Sequence, residues 1–570
     1  MPRVRHVQIN NFRCIHSFEW SPNPGFNVLV GPGDIGKSTV LDAIDHCLGA
    51  RRSLVFTDAD FHRMDETNPI RIAVTVGELP ADLIDFEIFG NYLRGFDSAA
   101  GSVVDEMGAG FETVITLVLE VDESLEASWY LYSDRAASRG EQRGLNWGQR
   151  INLAPTRLGA GSGYNLGWRQ GSLLSRLTTN VPGASSSLAA AARQARRSFG
   201  DDAGQQIQET LARIATAAVR LGIDIGDELK AMLDAESMSL GHGTIALHTS
   251  DGVPLQCLGA GSLRLAVAAI QQSFSNMSSI ILVDEVEHGL EPHRIARLLD
   301  TFGAKHPSPS SQVFMTTHSP VAIRELSGAM LFVLRKGDDA IHRCTNVGTS
   351  DDVQGTVRTF PEALLSRVIV VCEGASEVGL LRGLDQHDDV QSRLTLSSAG
   401  IVAIDGGGDS KVVRRATAFQ TLGFDTAILR DNDQIQPIAG ESDYVAKGGK
   451  VFKWRNGYAL EDELFRELPE SAVHELVEIA VEIVGEPTVN DQIKTASSNQ
   501  LTLQDCRGPI SSPHREALSR AAKGRKGAWF KSVSDMEVVG REVVGPALAA
   551  AGALAQNVES LRAWARSLVS

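Results

Sequence analysis

The stretch Gly25-Phe26-Asn27-Val28-Leu29-Val30-Gly31-Pro32-Gly33-Asp34-Ile35-Gly36-Lys37-Ser38-Thr39 decides the fold of the first part of the chain. Its apolar run has the length of a buried strand and enters a glycine-rich turn, and Ser38 to Leu48 then reads as a helix. Strand, turn and helix in that order make a phosphate cradle. Glycines let backbone N–H groups turn inward, a lysine reaches the outer phosphates, and a hydroxyl can hold Mg²⁺. On this reading Gly31, Gly33, Asp34, Gly36, Lys37, Ser38 and Thr39 form an ATP site, with Ser38 also a metal ligand.

Working outward, Val4 to Phe12 alternates like an edge strand. Arg71 to Val76 and Glu112 to Val121 read as further strands, and Trp129 to Tyr132 as a hairpin partner. From Ser185 to Leu233 the pattern changes to alanine-rich helix, with Leu211, Ile214, Ala215, Ala218 and Leu221 at helical spacing; it reads as an inserted helical arm, and the pattern fits a helical layer of the same core about equally well. Thr244 to His248, Ser279 to Val283 and Gln312 to Thr316 follow as strands. The second of these runs into Asp284 and Glu285, one suited to hold a metal through water and the other to polarise an attacking water. His318 follows the third strand, where it can sense a γ-phosphate. Leu258-Gly259-Ala260-Gly261-Ser262 opens a helix whose free N–H groups, Gly261 included, can face an anion.

A second chemistry begins after the polar stretch Thr345 to Gln354, a candidate domain boundary. Val368 to Cys372, Ile401 to Ile404 and Thr426 to Leu429 are apolar runs alternating with helical segments, the pattern of a parallel sheet. Glu373 stands at the tip of the first run, followed by Gly374 and by Glu377 one helical turn on. Asp431 and Asp433 stand beyond the third, and alternation along an extended chain would put both on one face. Carboxylates at the ends of parallel strands face the crevice where such sheets bind ligands, and hard oxygen donors favour Mg²⁺ or Mn²⁺. Between them Asp405-Gly-Gly-Gly-Asp409-Ser-Lys411 reads as a turn shaping that crevice, without a catalytic assignment.

Bulk properties bound the remainder. At 570 residues, 43% hydrophobic and 22% charged, the chain has the composition of an ordinary globular protein of three or four domains. The six cysteines are scattered, which favours a reducing cytosol over a disulfide framework or zinc site. No secretory signal and no apolar run of about 18 residues is visible, so a cytoplasmic protein without a membrane partner is expected. A net charge of −16 opposes nonspecific coating of polyanions, so any DNA contact needs a local basic patch or bound cations.

The order of phosphate loop, Leu258–Ser262 signature, Asp284-Glu285 and His318 resembles the ABC-type ATPase heads of the SMC/RecF group, over most of Met1 to Val357. The signature departs from the usual Leu-Ser-Gly-Gly-Gln at Gly259, Ala260 and Ser262. The Glu373, Asp431 and Asp433 motifs resemble the TOPRIM domain, over Ser366 to Glu470. A head followed directly by TOPRIM is the arrangement of the OLD (overcoming lysogenization defect) family of nucleases, which includes the nuclease subunit of Gabija-type antiphage systems.

That resemblance implies an α/β protein: an ATPase head in two parts, residues 1–184 and 236–357, interrupted by a dimerisation arm at 185–235, then a TOPRIM nuclease domain with a helical extension at 366–570. It implies two metal ions held by Glu373, Glu377, Asp431, Asp433 and a further carboxylate. Glu461 matches that carboxylate best among Glu461, Asp462 and Glu463. It also implies a lysine within Lys523 to Lys531, with Lys531 preferred to Lys526. Expected catalytic groups are Glu285 for ATP hydrolysis and Glu373, Asp431 and Lys531 for DNA cleavage. The expected function is an ATP-binding, metal-dependent DNA endonuclease or nickase in antiphage defence or DNA processing. It would act as a homodimer or higher homo-oligomer, with a partner protein from a defence system also in view. The alternatives are a structural DNA-binding ATPase of repair and a defence subunit that needs a partner. A topoisomerase would need a tyrosine in a DNA-cleavage module and a primase a zinc module, and neither is recognisable.

Overall fold

The computed structural model describes residues 1–51, 53–159, 190, 191, 194, 247, 250, 254–273, 279–307, 309–337, 339–433, 438–524 and 527–568. Nearly all of the expected helical arm, nearly all of the strand expected at Thr244 to His248, and Lys526 lie outside these residues. The chain gathers into two compact units, one of residues 1–5, 41–56 and 72–314, the other of residues 6–40, 57–71 and 315–570.

In the first unit, Glu112–Val121 pairs antiparallel with Ala127–Tyr132 as a hairpin and, through residues 112–115, with Leu93–Asp97. Its inner residues Val114, Ile115 and Leu117 to Leu119 are all buried, as alternation onto a packed face plus a covered second face requires. The short Thr156–Leu158 strand runs parallel to Ile280–Val283, whose four residues are buried and which ends at Asp284.

The second unit holds two sheet regions. In the first, Arg3–Phe12 pairs antiparallel with Ile15–Trp20, which runs parallel to Ile341–Asn346. That strand pairs antiparallel with Leu331–Lys336, which in turn runs parallel to Phe26–Val30. Arg3–Phe12, expected at a sheet edge, has a strand on either side. Phe26–Val30 is buried throughout and delivers the chain into the glycine-rich loop.

The second region is a four-stranded, wholly parallel sheet in the order Ile401–Asp405, Val368–Cys372, Asp425–Arg430, Lys450–Lys453. Val368 to Cys372 are at most 1% exposed. Burying each such side chain is worth about 1.5–3 kcal/mol, which fixes the strand that carries Glu373 at its tip. The Ala375–Val390 helix and a helical layer covering Glu470–Val484, Glu486–Ala496, Ser512–Ala522, Val533–Val539 and Gly552–Ser567 share one core around Trp454, Phe465, Trp529 and Phe530. The polar stretch Thr345 to Gln354 carries a strand end at Asn346 and the start of the Asp351–Thr359 helix. No single described helix is long and apolar enough to cross a membrane.

Candidate functional site

The glycine-rich loop follows Phe26–Val30 and leads into the Lys37–Leu48 helix. Gly31 has φ +146° and a Cβ there would stand 2.6 Å from the Leu334 carbonyl oxygen. Gly36 has φ +98° and faces the Cys14 Sγ, 2.9 Å from where a Cβ would be. Both positions exclude a side chain by conformation and by space. Lys37 is 4% exposed and its Nζ donates to the carbonyls of Gly31 (3.0 Å) and Pro32 (2.7 Å). Gly33, Asp34 and Ser38 are exposed, and Thr39 is buried with Oγ1 3.5 Å from the Cys14 Sγ. In the same unit His318 is exposed, and Ser319 beside it caps the Pro320–Glu325 helix.

In the other unit Asp284 follows the Ile280–Val283 strand, its N–H donating to Leu158 O at 3.1 Å. Arg157 reaches Asp42 at 2.5 Å, Asp45 at 3.4 Å and Asp284 at 3.5 Å. Sequence reading missed this arginine, which joins two acids one turn apart on the Lys37–Leu48 helix to Asp284, far away in the chain. Glu285 is half exposed with φ +47°, and Arg264 donates to its carbonyl. Gly261 is buried in the first turn of the Ala260–Ser273 helix, packed on the Gly289 carbonyl with no room for a Cβ. This packing alone accounts for glycine there.

The parallel sheet gathers the acidic residues. Glu373 Oε2 accepts from the Asp431 N–H at 2.9 Å, and the Glu373 N–H donates to Leu429 O at 2.8 Å, so the tips of two adjacent strands are tied together. Asp431 Oδ1 accepts from the Leu460 N–H at 2.9 Å, tying on the Leu460–Glu467 helix. Glu377 is 4% exposed and Oε2 accepts from the Gly374 N–H at 3.0 Å. Arg430 braces the loop, donating to Asp431 O at 2.6 Å and pairing with Glu441 at 2.8 Å.

The three candidate carboxylates beside the Leu460–Glu467 helix separate by partner. Asp462 accepts from Ser519, from Lys523 (2.6 Å) and from the Ala459 N–H (2.9 Å), and Lys523 and Ser519 help hold its carboxyl below the usual range against burial. Glu463 is held by Arg455 at 2.7 Å. Glu461, 1% exposed, is held by the Lys531 ammonium. Lys531 is half exposed; burial pulls its pKa down, but Glu461, Asp431 and Glu377 outweigh it and raise it. Ser376 Oγ donates to Phe530 O at 3.0 Å, fixing the lysine's segment to the helix that carries Glu377.

Burial first, then mutual repulsion, raises the pKa of Glu373, Glu377 and Asp431. Asp409 contributes both charge and a hydrogen bond to Glu373, and the Gly408 N–H donates to Glu373 O at 2.8 Å. Asp409 is the acid that sequence reading left unassigned. Its signal was the same strand, glycine turn, carboxylate grammar as Glu373-Gly374. Asp433 departs from expectation. The strand ends at Arg430, so strand alternation does not carry through to it, and it lies exposed while Asp431 is half-buried, though its charge still bears on Glu373.

Buried oxygen donors that repel one another suit a hard divalent cation in chemistry and charge. Among the described residues no three His, Cys, Asp or Glu side chains come close enough to hold an ion.

The chain matches the family described as "AAA domain, putative AbiEii toxin, Type IV TA system" over residues 26–324, and "Overcoming lysogenization defect protein-like, TOPRIM domain" over residues 364–433. A segment of 67 residues is 40% identical to a Chlorobium luteolum protein named DNA replication and repair protein RecF, spanning 10% of this chain and 18% of that relative. Among solved structures, the SMC head domain from Thermotoga maritima is similar at 13% identity and TM-score 0.28, covering 61% of this chain and 100% of that one. The Smc head domain of Pyrococcus furiosus, bound to the C-terminal domain of ScpA, is similar at 13% identity and TM-score 0.31, covering 60% and 96%.

Proposed function

This chain belongs to the AAA-domain family and joins that ATPase part to an OLD-like TOPRIM domain, and from that premise we propose that it is a divalent-metal-dependent DNA endonuclease or nickase whose cutting is governed by ATP. The observation that carries the reading is the convergence of Glu373, Glu377, Asp409, Asp431 and Glu461 on the C-terminal tips of parallel strands, with the Lys531 amine beside them. Divalent cations held there by Glu373, Glu377, Asp431 and Glu461, with Asp433 at the rim, would polarise the phosphodiester and lower the pKa of an attacking water.

The chain's own groups have separable roles. Asp462, locked by Ser519 and Lys523, sets the first turn of the Leu460–Glu467 helix so that Glu461 faces the cluster rather than solvent. Lys531, half exposed and anchored through Phe530, can leave Glu461 to neutralise charge building on a phosphate. At the other site, Lys37 would exchange its two carbonyl acceptors for phosphate oxygens. Gly33, Gly36 and Ser38 line the same loop, with Ser38 able to serve the accompanying Mg²⁺. His318 belongs to the same proposed set; Asp284 and Glu285 are proposed for ATP hydrolysis and Gly261 for anion binding.

Phosphodiester hydrolysis is downhill, so ATP acts as a gate, not a power source. A role in antiphage defence, assembly as a homodimer and a partner protein belong to the same proposal. Supercoiled plasmid incubated with Mg²⁺ or Mn²⁺ tests it: the wild-type chain is expected to nick or linearise the plasmid and Asp431→Ala to leave it intact. Equal products from both would refute the assignment. Retarded but uncut plasmid would favour a DNA-binding ATPase of the repair type instead, and no cleavage without a second protein would favour a defence subunit. Cleavage compared across no nucleotide, ATP, ADP and a nonhydrolysable analogue tests the gate, and identical rates would remove it.

A further inference from the structure

The Leu331–Lys336 strand touches both chemistries within one unit. It runs parallel to Phe26–Val30, with Val333 opposite Val30, and its Leu334 carbonyl abuts Gly31 of the phosphate loop. The next residue, Arg335, donates from Nη2 to Arg367 O at 3.0 Å, lies 3.5 Å from the Asp425 carboxylate, and stacks over the Phe424 ring at 4.6 Å. Arg367 precedes the Val368–Cys372 strand, which ends at Glu373; Asp425 opens the strand that ends before Asp431. These two strands are paired in register from Val368 with Asp425 to Cys372 with Leu429. One guanidinium therefore grips the starting ends of both strands whose finishing ends, about 17–20 Å away, carry the acids.

We propose that Arg335 is the coupling contact through which the occupant of the Gly31–Thr39 loop and the Glu373/Asp431 carboxylates sense one another. The proposal rests on the functional reading above and names its regulator. A phosphate drawing the loop inward displaces Gly31 against Leu334 O, and a strand with hydrogen-bonded neighbours passes that displacement along its backbone to the adjoining residue. The planar guanidinium suits this junction because it stacks, donates to a carbonyl and pairs with a carboxylate at once, which an ammonium cannot do. Its Nη1 is buried without an acceptor, so the grip has a donor in reserve and can trade carbonyls as the strands slide. Coupling of this kind is reciprocal, so occupation of the carboxylates alters nucleotide affinity by the same factor.

Hydrogen exchange read by mass spectrometry on the full chain, with and without a nonhydrolysable ATP analogue, tests this. In the wild type the analogue is expected to change exchange about fivefold or more in peptides over the loop and over 368–373 and 425–431. Arg335→Gln and Arg335→Lys are expected to keep the loop response and lose the strand response. Asp425→Ala, which removes a half-exposed partner and spares the buried guanidinium, should weaken it and serves if the arginine variants fold poorly. Arg343→Ala should respond as the wild type does; Arg343 sits opposite Arg335 in the hairpin but forms an exposed pair with Asp339. A wild type with a responding loop and silent strands, or Arg335→Gln with an undiminished strand response, overturns the proposal, and so does a silent loop, which would also remove the nucleotide reading. Plasmid cleavage on the same samples keeps the two readings apart: responding strands without cleavage would strike the nuclease assignment and leave the coupling standing.

Discussion

The phosphate loop and the carboxylate crevice each concentrate charge, and they settle it in opposite ways. Lys37 folds back onto two carbonyls of its own loop and is nearly buried without a ligand. Glu461, Asp431 and Glu377 act on the Lys531 ammonium, Asp409 acts on Glu373, and the raised pKa values of Glu373, Glu377 and Asp431 record burial and repulsion. The loop is self-satisfied, so a nucleotide must displace bonds that already exist. The crevice is frustrated, and a cation relieves it. The first site should therefore matter to the fold little and to binding much, whereas the second should matter to both.

The sharpest break of this comparison is Asp431→Ala. Its carboxylate accepts the Leu460 N–H and repels three neighbours, so its loss removes a proposed ligand while easing repulsion. Plasmid cleavage should fall about 10³-fold or more, while thermal stability in chelator holds or rises. A variant that loses activity together with its fold would show that the acid is structural.

Lys37→Ala comes next. Removing a charge-assisted donor to phosphate should weaken nucleotide affinity about 100-fold, read by titration of a fluorescent nucleotide. Nucleotide-free cleavage should be unchanged, because the loop's own carbonyls lose a partner but can turn to water. Cleavage lost in the absence of nucleotide would mean that the loop shapes the crevice even when empty.

Stability against pH sharpens the contrast further. Burial, then Asp409, raises Glu373 from 4.5 to about 7, and burial, then Glu461 and Glu373, raises Glu377 from 4.5 to about 8. A carboxyl raised on folding binds more protons in the folded state than in the unfolded one, so stability falls as pH rises. The contribution is full below about 4.5 and lost as pH climbs through 7 to 8. In chelator the melting temperature should drop by several degrees between about pH 6 and pH 8.5, each kcal/mol being worth roughly 2–4 °C in a domain of this size. With Mn²⁺ the drop should largely vanish, since a bound cation favours the ionised forms. A pH profile that the metal leaves untouched would separate the repulsion from any ion site.

How much of this was legible in the sequence follows from where the information lies. The Val368–Cys372 strand begins and ends where its apolar run does, and Gln312–Thr316 extends its run by one buried polar residue at each end, because burial on both faces writes itself into consecutive residues. The loop glycines were legible because the helix after them and the strand before them leave few conformations. Asp409 was not, since an acid after three glycines reads as a solvated turn until the neighbouring strand tip is placed beside it. Arg335 and Arg157 were silent for the same reason: their partners are 32 to 127 residues away along the chain. Asp433 lies beyond the strand end at Arg430, so alternation does not fix which face it takes, although its charge bears on Glu373.

The smallest effect separates the acids that spacing alone left level. Asp462 is shared by Ser519, Lys523 and a backbone N–H and Glu463 is held by Arg455, whereas Glu461 is paired with Lys531, whose amine also feels Asp431 and Glu377. Glu461→Gln keeps the volume and removes one negative charge from the cluster, so in chelator it should stabilise the fold by about 1 kcal/mol, less whatever the Lys531 pair supplied. Asp462→Asn, by contrast, removes the anion that Lys523 and Ser519 share and should destabilise by about 1–3 kcal/mol with or without metal. Denaturant titrations of the two variants, each with chelator and with Mn²⁺, decide the matter. Glu461→Gln should gain less from Mn²⁺ than the wild type, and Asp462→Asn should gain as much. If the metal increments come out in the opposite order, the acid that serves the crevice is Asp462, and the ion pair between Glu461 and Lys531 is a structural one.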